Sequence, residues 1–248
     1  SERAVDTVGT GGDGAHTINI SSTAAIIAAD AGARVVKHGN RAVSSRSGAS
    51  DFLEALGVVP GLDGKGVERT VSELGIGFCF APIFHPAMKH AAPARKELGV
   101  PTVFNILGPL ANPAKPRAAA IGVANERAHL VMAQVLVKKG CDGFVFRGDD
   151  GLDEFTLSTT TTVYQVHEGQ MRKEIFNPDN LNLAPIELAE LEGGDAAFNA
   201  RAIREIFKGK PGAGRDAVVL NAAVAIAAFK ADFDLPIETQ VANGISLA

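Results

Sequence analysis

Residues 4–36 read AVDTVGTGGDGAHTINISSTAAIIAADAGARVV, and this stretch decides the fold class. Residues 4–8 are a short β-rich run, residues 21–31 are an alanine-rich run of helical length, and residues 34–36 begin a second β-rich run. Gly32 stands where a helix is expected to stop. A strand, a helix and a strand in this order are typical of a βαβ unit, whose two strands pair in parallel. The helix is apolar nearly all round, which predicts that it is buried.

The same alternation continues along the chain. Further strand candidates are residues 76–81, 102–104, 118–123 and 143–146. Further helix candidates are residues 50–56, 67–74, 86–98 and 126–139, followed by a mostly helical region from residue 185 that includes the apolar run 217–228. Residues 156–170 alternate Thr and Val with polar residues and are expected to form a strand or a hairpin. We therefore predict an α/β fold with a mostly parallel central sheet flanked by helices.

Composition restricts the functional classes. The 248 residues are 46% hydrophobic, so the chain can bury a sizeable core, and the formal net charge is −4. Without a basic segment, binding to nucleic acid or to a membrane surface is not expected. Cys79 and Cys141 lie far apart beside apolar stretches and are predicted to be buried, reduced thiols. The chain shows no transmembrane run and no signal peptide, which indicates a cytoplasmic protein.

Five of the six strand candidates, all but residues 118–123, run into a loop rich in glycine or polar residues. These loops are residues 9–14, 37–41, 82–86, 105–109 and 147–154. Ligands of open α/β sheets bind outside the carboxyl ends of the strands. We therefore expect the five loops to converge on one crevice.

The first loop, residues 9–14, reads GTGGDG and precedes a helix. Glycines let backbone N–H groups approach phosphate oxygens, and a helix N-terminus favours an anion. The spacing is neither that of a P-loop nor that of a dinucleotide-binding turn, and a tight turn between strand and helix would also account for the glycines. Asn19, Ser21 and Ser22 follow at the helix start, where they bind an anion or cap the helix. Taken singly, capping is the expected role.

The second loop, residues 37–41, reads KHGNR and is followed by Ser44 and Ser45. Two cations, an imidazole and an amide surround one glycine, which is more polar than a structural turn requires. This favours a binding loop over a solvated loop, although His38 alone would be expected to make a structural hydrogen bond.

Asp153 and Glu154, flanked by Asp149 and Asp150, place carboxylates after the strand candidate 143–146. Hard oxygen ligands of this kind suit Mg²⁺, which takes one or two protein carboxylates together with waters and phosphate oxygens. The alternative is an acidic surface loop. Arg95 could bind a carboxylate through two parallel hydrogen bonds, whereas most helix arginines lie in solvent.

Taken together, these motifs resemble the anthranilate phosphoribosyltransferase family. The family pattern has a Gly-Thr-Gly-Gly-Asp loop, an Asn-x-Ser-Thr helix start, a Lys-His-Gly-Asn-Arg loop with a Ser pair, an Arg in a His-Pro-led helix, and an Asp-Glu pair. The matching positions are 9–13, 19–22, 37–41 with 44–45, 95 after 85–86, and 153–154, and residues 104–113 resemble a further family loop. Ser22 stands where the family usually has Thr, which keeps the hydroxyl.

The resemblance implies transfer of the phosphoribosyl group of 5-phosphoribosyl 1-pyrophosphate to the amine of anthranilate in tryptophan biosynthesis, with two Mg²⁺ ions per active site. No general acid or base is assigned, because the amine is already nucleophilic and the leaving pyrophosphate needs charge stabilisation most. The resemblance implies binding of the sugar donor by Gly9, Thr10, Gly11, Gly12, Asp13, Asn19, Ser21, Ser22, Lys37 and Ser45. It implies binding of anthranilate by His38, Gly39, Asn40, Arg95 and Pro109, and of the metal by Ser21, Asp153 and Glu154.

Family members carry helices before the first glycine loop that build a small helical domain and the dimer contact. Residues 1–248 are therefore expected to be the α/β catalytic domain, with part of the helical domain missing at the N-terminus, of a protein that is a homodimer at full length. Two alternatives remain at this point: a pyrimidine nucleoside phosphorylase of similar fold, and a non-catalytic relative that binds nucleic acid. The loop 37–41 disfavours the first, and the negative charge disfavours the second.

Overall fold

A computed structural model describes residues 3–41, 46–98 and 102–248, apart from the side chains of residues 92, 95 and 96. The strands in this part of the chain are β1 (Val5–Gly9), β2 (Val35–Gly39), β3 (Ile76–Phe80), β4 (Ala118–Gly122), β5 (Asp142–Gly148), β6 (Thr161–His167) and β7 (Gln170–Phe176). The α-helices are α1 (Ile20–Asp30), α2 (Ala49–Leu56), α3 (Gly64–Leu74), α4 (Ala81–Phe84), α5 (Ala92–Leu98), α6 (Phe104–Leu107), α7 (Glu126–Lys139), α8 (Ala196–Phe207), α9 (Ala213–Lys230) and α10 (Ile237–Ile245).

The strands form one sheet in the order β3-β2-β1-β4-β5-β6-β7. Strands β1 to β5 pair in parallel with one another. Strand β6 pairs antiparallel with β5 and, with β7, completes one edge as an antiparallel hairpin. This confirms the predicted α/β fold with a mostly parallel sheet. The carboxyl ends of β1 to β5 consequently point to the same edge of the sheet, where four of the predicted binding loops, residues 9–14, 37–41, 82–86 and 147–154, follow their strands.

Alternate residues of β4 face two hydrophobic clusters, as the two-residue period of a strand requires. Ala118 and Ala120 pack with α1 and α9, while Ala119 and Ile121 pack with α7. Helices α1 and α9 are buried along much of their length, as their alanine-rich sequences predicted. Cys79 and Cys141 are buried and free, in agreement with their prediction.

The prediction of a strand at residues 102–104 is wrong. Thr102 lies outside regular structure and Phe104 begins α6. The reason is local: the Asn105 side chain accepts a hydrogen bond from Thr102 N at 2.9 Å, and Asn105 N donates to Thr102 O at 2.9 Å. An Asn side chain that bonds nearby backbone in this way stabilises a turn at the expense of an extended strand.

Two other segments differ in detail from their predictions. Residues 86–98 form a 3₁₀ turn, Pro86–His90, followed by the short helix α5. The hairpin expected within residues 156–170 is the pair β6 and β7, which lies later in the chain because the hydroxyls of Thr156 and Ser158 bind Asp150 instead of continuing a strand. Among the described helices, none has both the length and the apolar character needed to cross a membrane.

Candidate active site

The glycine loop after β1 contacts the acidic pair that follows β5. Gly11 N donates a hydrogen bond of 2.6 Å to Asp153 Oδ2. A Cβ atom on Gly9 would lie 2.2 Å from the same oxygen, so only glycine fits this position. The two loops meet although β4 lies between their strands in the sheet.

The glycine loop has a conformation that its sequence requires. Gly11 and Gly12 have φ angles of +66° and +82°, in the left-handed region that favours glycine. The loop is tied to the end of β4, because Thr10 N donates to Gly122 O at 3.0 Å and Ala124 N donates to Thr10 Oγ1 at 3.1 Å. The glycines therefore serve the turn itself and also bring its backbone close to Asp153.

Asp153 and Glu154 are only 8% and 9% exposed. Burial raises the pKa of Asp153 to about 7, and the nearby Asp13 carboxylate adds to this shift. Burial and the charge of Asp153 likewise raise the pKa of Glu154 well above its usual value, while Lys37 and a hydrogen bond from the Ser21 backbone act in the opposite direction. A cation bound next to these carboxylates would therefore stabilise their ionised forms. They do not form the acidic surface loop that was the alternative.

Lys37 is the positively charged side chain next to this acidic pair. Its side chain is 3% exposed on β2, and Nζ donates to Thr7 O at 2.5 Å and to Ser21 Oγ at 3.4 Å. Burial lowers the pKa of Lys37, and the charges of Asp6, Glu154 and Asp153 oppose that shift. The ammonium thus lies among three carboxylates and the N-terminus of α1.

Asn19 precedes α1, but its side chain makes no capping hydrogen bond. Its Oδ1 instead accepts from Asn199 Nδ2 at 2.9 Å and from Ser47 Oγ at 3.2 Å. The capping interpretation is therefore wrong for Asn19. Ser21 and Ser22 lie in the first turn of α1, with Ser21 half-buried beside Lys37 and Ser22 buried.

A second group of predicted residues lies where β2 ends. His38 is buried, with Nδ1 hydrogen-bonded to Gly108 O at 3.0 Å and its ring edge-on to His85 at 5.1 Å between centroids. Burial lowers the pKa of His38 to about 4, so the imidazole is neutral near pH 7. A Cβ on Gly39 would lie 2.9 Å from the Phe78 ring. Through these contacts, the loops after β2 and β3 and the segment containing Pro109 meet.

The remaining residues of the second loop turn outward. Asn40 is exposed, and its Oδ1 accepts from Arg41 N at 2.8 Å. The guanidinium of Arg41 binds Asp51 at 2.6 Å and Glu54 at 2.6 Å on α2. The two cations of this loop, which look equivalent in the sequence, thus point to different surroundings.

Two predicted binding residues have no described side chain. Ser45, together with Ser44, lies outside the described residues. Arg95 belongs to α5, and nothing is stated of its side chain. Their assignments remain predictions.

The sequence interpretation missed three buried polar residues next to the site. Asp6 on β1 accepts from His38 N at 3.1 Å and from Asn112 Nδ2 at 2.7 Å. Asn221 on α9 holds the backbone of Phe155, accepting from its N and donating to its O at 2.9 Å each. The signal for Asp6 was available, since a carboxylate in the interior of an otherwise apolar strand needs a partner. No sequence feature near Asn112 or Asn221 indicates that these residues have buried hydrogen-bond partners.

The oxygen-rich surroundings of Asp153 and Glu154 fit Mg²⁺, which takes one or two protein carboxylates together with waters and phosphate oxygens. Asp13 lies beside Asp153, and Ser21 contacts Glu154 through its backbone N–H and Lys37 Nζ through its hydroxyl. Among the described residues, no group of three or more His, Cys, Asp or Glu side chains is arranged to hold a metal ion.

Known proteins resemble the chain over nearly its whole length. The protein family described as "Glycosyl transferase family, a/b domain" matches residues 1–243. Anthranilate phosphoribosyltransferase of Rhodococcus jostii (strain RHA1) is 53% identical over 244 residues, which are 98% of this chain and 67% of that protein. The chain therefore spans about two thirds of the length of this relative.

Solved structures show the same similarity. Anthranilate phosphoribosyltransferase from Thermus thermophilus superposes with a TM-score of 0.90 at 41% identity, covering 100% of this chain and 73% of that one. The Saccharomyces cerevisiae enzyme in complex with PRPP and Mg gives 0.88 at 30% identity, covering 99% and 68%. The same yeast enzyme in complex with 4-fluoroanthranilate gives 0.85 at 29%, covering 99% and 67%. With this identity over nearly the whole chain and this fold, the chain belongs to the anthranilate phosphoribosyltransferase family.

Proposed function

We propose that this chain forms the α/β catalytic domain that transfers the phosphoribosyl group of phosphoribosyl pyrophosphate to anthranilate, releasing pyrophosphate. The observation that carries the proposal is the contact between Gly11 and Asp153, which places a phosphate-binding type of loop against a buried acidic pair. A nucleoside phosphorylase and a nucleic-acid-binding relative have no comparable support, since the identity is to anthranilate phosphoribosyltransferases.

The sugar donor is proposed to lie over the glycine loop and the start of α1. Backbone N–H groups of residues 9–12 and the N-terminus of α1 present donors to phosphate oxygens. Asn19, Ser21 and Ser22 add polar groups at the same helix end, and Lys37 adds a positive charge beneath it. Pyrophosphate leaves as a polyanion, so positioned cations and donors at this end lower the barrier more than a strong base would.

Mg²⁺ is the proposed cofactor, held by Asp153, Glu154 and Ser21 directly or through water, with two ions per site. When bound, it neutralises charge on the pyrophosphate. The buried carboxylates keep their positions through Gly11 N, Ser21 N and the Asn221 contact to Phe155. These contacts are made by the protein alone, so the carboxylates are oriented before any ligand arrives.

Anthranilate is proposed to bind against His38, Gly39, Asn40 and Pro109, with Arg95 approaching its carboxylate. The His38 imidazole is neutral near pH 7 and is already hydrogen-bonded to Gly108 O through Nδ1. We therefore assign this imidazole to packing against and orienting anthranilate, and not to the role of a general base. Holding the neutral amine near the sugar carbon is the main task, because positioning alone can supply a large part of the barrier reduction.

We also propose that the full-length protein is a homodimer and acts in the cytoplasm. Support for the location comes from the biosynthetic role of the family. Sedimentation of the full-length protein tests the dimer.

The proposed function is tested by the double variant Asp153→Ala/Glu154→Ala. Loss of anthranilate fluorescence is followed in the presence of phosphoribosyl pyrophosphate while Mg²⁺ is varied. We expect Mg²⁺-dependent turnover to disappear while circular dichroism and the unfolding transition keep their folded character. The matched control is Asp232→Ala/Asp234→Ala, which removes two exposed carboxylates near α10 and should leave turnover unchanged. Normal Mg²⁺-dependent turnover in the first variant would refute the role of the acidic pair.

A further inference from the structure

The segment that carries Pro109 is only partly backed by apolar packing, which Leu110 makes with the cluster on α7. A cavity of about 440 Å³ separates residues 109–113 from the face of the sheet that α7 covers. Its walls include Asp6, Asn112, Ala119, Ile121 and Leu136. Because the open space leaves part of the segment without dispersion contacts, its polar contacts contribute much to its position.

Two buried residues supply most of those contacts, and we call the Asp6–Asn112 pair the latch. The side chains are 2% and 6% exposed. Asn112 Nδ2 donates to Asp6 Oδ2 at 2.7 Å and to Val36 O at 2.8 Å, while its Oδ1 accepts from Ala114 N at 2.9 Å. The amide of Asn112 thus uses both of its donor hydrogens and its acceptor to fasten the segment to β1 and β2.

The latch also contacts His38, which belongs to the proposed anthranilate site. The second oxygen of Asp6 accepts from His38 N at 3.1 Å, and the His38 ring is hydrogen-bonded to Gly108 O at 3.0 Å. These hydrogen bonds, together with the chain from Gly108 to Asn112, form a closed loop that passes through Asp6 and His38. Besides this closed loop, the described residues fasten the segment through Lys139 Nζ, which donates to Leu110 O from an exposed, flexible side chain.

Burying a carboxylate in a strand costs desolvation free energy, which an apolar side chain at the same position would not cost. Here the carboxylate joins the strand that leads into the glycine loop to the segment that forms one wall of the acceptor pocket. That connection gives the polar pair a role that an apolar pair could not fill.

We propose that Asp6 and Asn112 are positioning residues, which fix the Gly108–Pro109 backbone relative to His38 and so set the width of the anthranilate pocket. This inference deepens the proposed function and rests on it for the identity of the acceptor. The pair does not touch substrate. It acts through the backbone of His38 and of the 108–114 segment.

The kinetic test is the variant Asn112→Ala, which removes all three side-chain hydrogen bonds of the residue. We expect the KM for anthranilate to rise at least about 10-fold, the size of one or two lost positioning contacts, with the KM for phosphoribosyl pyrophosphate changed less than about 2-fold. Asn112→Gln keeps the amide and can extend into the cavity, so it should recover part of the anthranilate KM.

The matched control is Gln165→Ala, which removes another buried amide, bonded to Phe233 O at 2.8 Å on the far side of the sheet. It should lower stability without changing either KM. Equal changes of both KM values in Asn112→Ala, or the same anthranilate effect in Gln165→Ala, would overturn the proposal. So would an unchanged anthranilate KM.

A second readout does not depend on activity. Hydrogen exchange of the peptide covering residues 104–116 should become at least about 10-fold faster in Asn112→Ala and stay unchanged in Gln165→Ala. Unchanged exchange in Asn112→Ala overturns the latch even if the protein acts on another acceptor. Absence of wild-type turnover with anthranilate would instead refute the proposed function, so the two failures are distinguishable.

Discussion

Gly122→Ala should inactivate the protein by moving the acidic pair, although Gly122 is not expected to touch a substrate. Gly122 ends β4, which lies between β1 and β5, and the chain that follows β5 folds back over it. A Cβ at this position would lie 1.7 Å from the carbonyl oxygen of Asp153 and 2.5 Å from its carbonyl carbon. The backbone of Gly122 lies outside the left-handed region, so the consequence comes from the clash and not from backbone strain.

The size of the effect follows from these distances. Non-bonded carbon and oxygen atoms need roughly 3.4 Å, so Asp153 has to retreat by about 1.5 Å or more. A displacement of 1 Å at a catalytic group can cost about 100-fold in rate. We expect kcat to fall at least about 100-fold and the Mg²⁺ concentration needed for half-maximal activity to rise. Overpacking should cost about 1–3 kcal/mol of stability.

The assay is anthranilate consumption, followed by fluorescence at several Mg²⁺ concentrations, with thermal unfolding measured on the same samples. Gly244→Ala is the matched control, because its Cβ would lie 2.4 Å from Ala223 O in the packing of α10 on α9, away from the site. It should lower stability with little effect on kcat. Normal kinetics in a folded Gly122→Ala protein would refute the reasoning, and so would an equal loss of kcat in Gly244→Ala.

Three further variants test other parts of the site. Burial raises the pKa of Asp6 from 3.8 to about 6. The unfolded chain releases this proton at a lower pH than the folded chain does, so Asp6 should lower the unfolding free energy by about 2 kcal/mol as pH rises from 4 to 6. Urea unfolding should show that slope reduced in Asp6→Asn, and an equal slope would contradict it. Arg95→Ala should raise the KM for anthranilate far more than the KM for the sugar donor, whereas Arg69→Ala, on the exposed face of α3, should change neither. Asn199→Ala removes the donor to Asn19 Oδ1 and should raise the KM for phosphoribosyl pyrophosphate, and a change confined to anthranilate would count against this role.

The sequence predicted the fold class and most elements because their signals are local. An apolar run of helical length followed by glycine predicts a buried helix, and α1 lies within one residue of its predicted bounds. The prediction at residues 102–104 was wrong because Asn105 closes a turn there, and such a competing hydrogen bond leaves no periodic pattern. Residues 156–160 were assigned to the hairpin for a similar reason, since hydroxyls suited to a strand bind Asp150 instead.

The candidate site was predicted residue by residue only where motifs lie in one continuous stretch. The glycine loop and the acidic pair each have such a stretch, and the parallel sheet brings them together as expected. The supporting residues could not be found in this way, because their partners are remote. Asn199 is 180 residues from Asn19, and Asn112 is 106 residues from Asp6. A lone Asn in a helix or loop carries no indication of such a partner.

The end of β4 shows why the site depends on a residue without a side chain. The glycine loop belongs to β1 and the acidic pair to β5, and β4 lies between these strands. Any side chain at Gly122 would occupy the position of the Asp153 carbonyl group, and any side chain at Gly9 would occupy the position of its carboxylate. The sequence interpretation assigned Gly9 to phosphate binding, but its described contact is to Asp153. Two glycines on neighbouring strands thus make room for the acidic pair to reach the loop of β1, and the proposed binding of one phosphate-bearing ligand to both loops depends on this closeness.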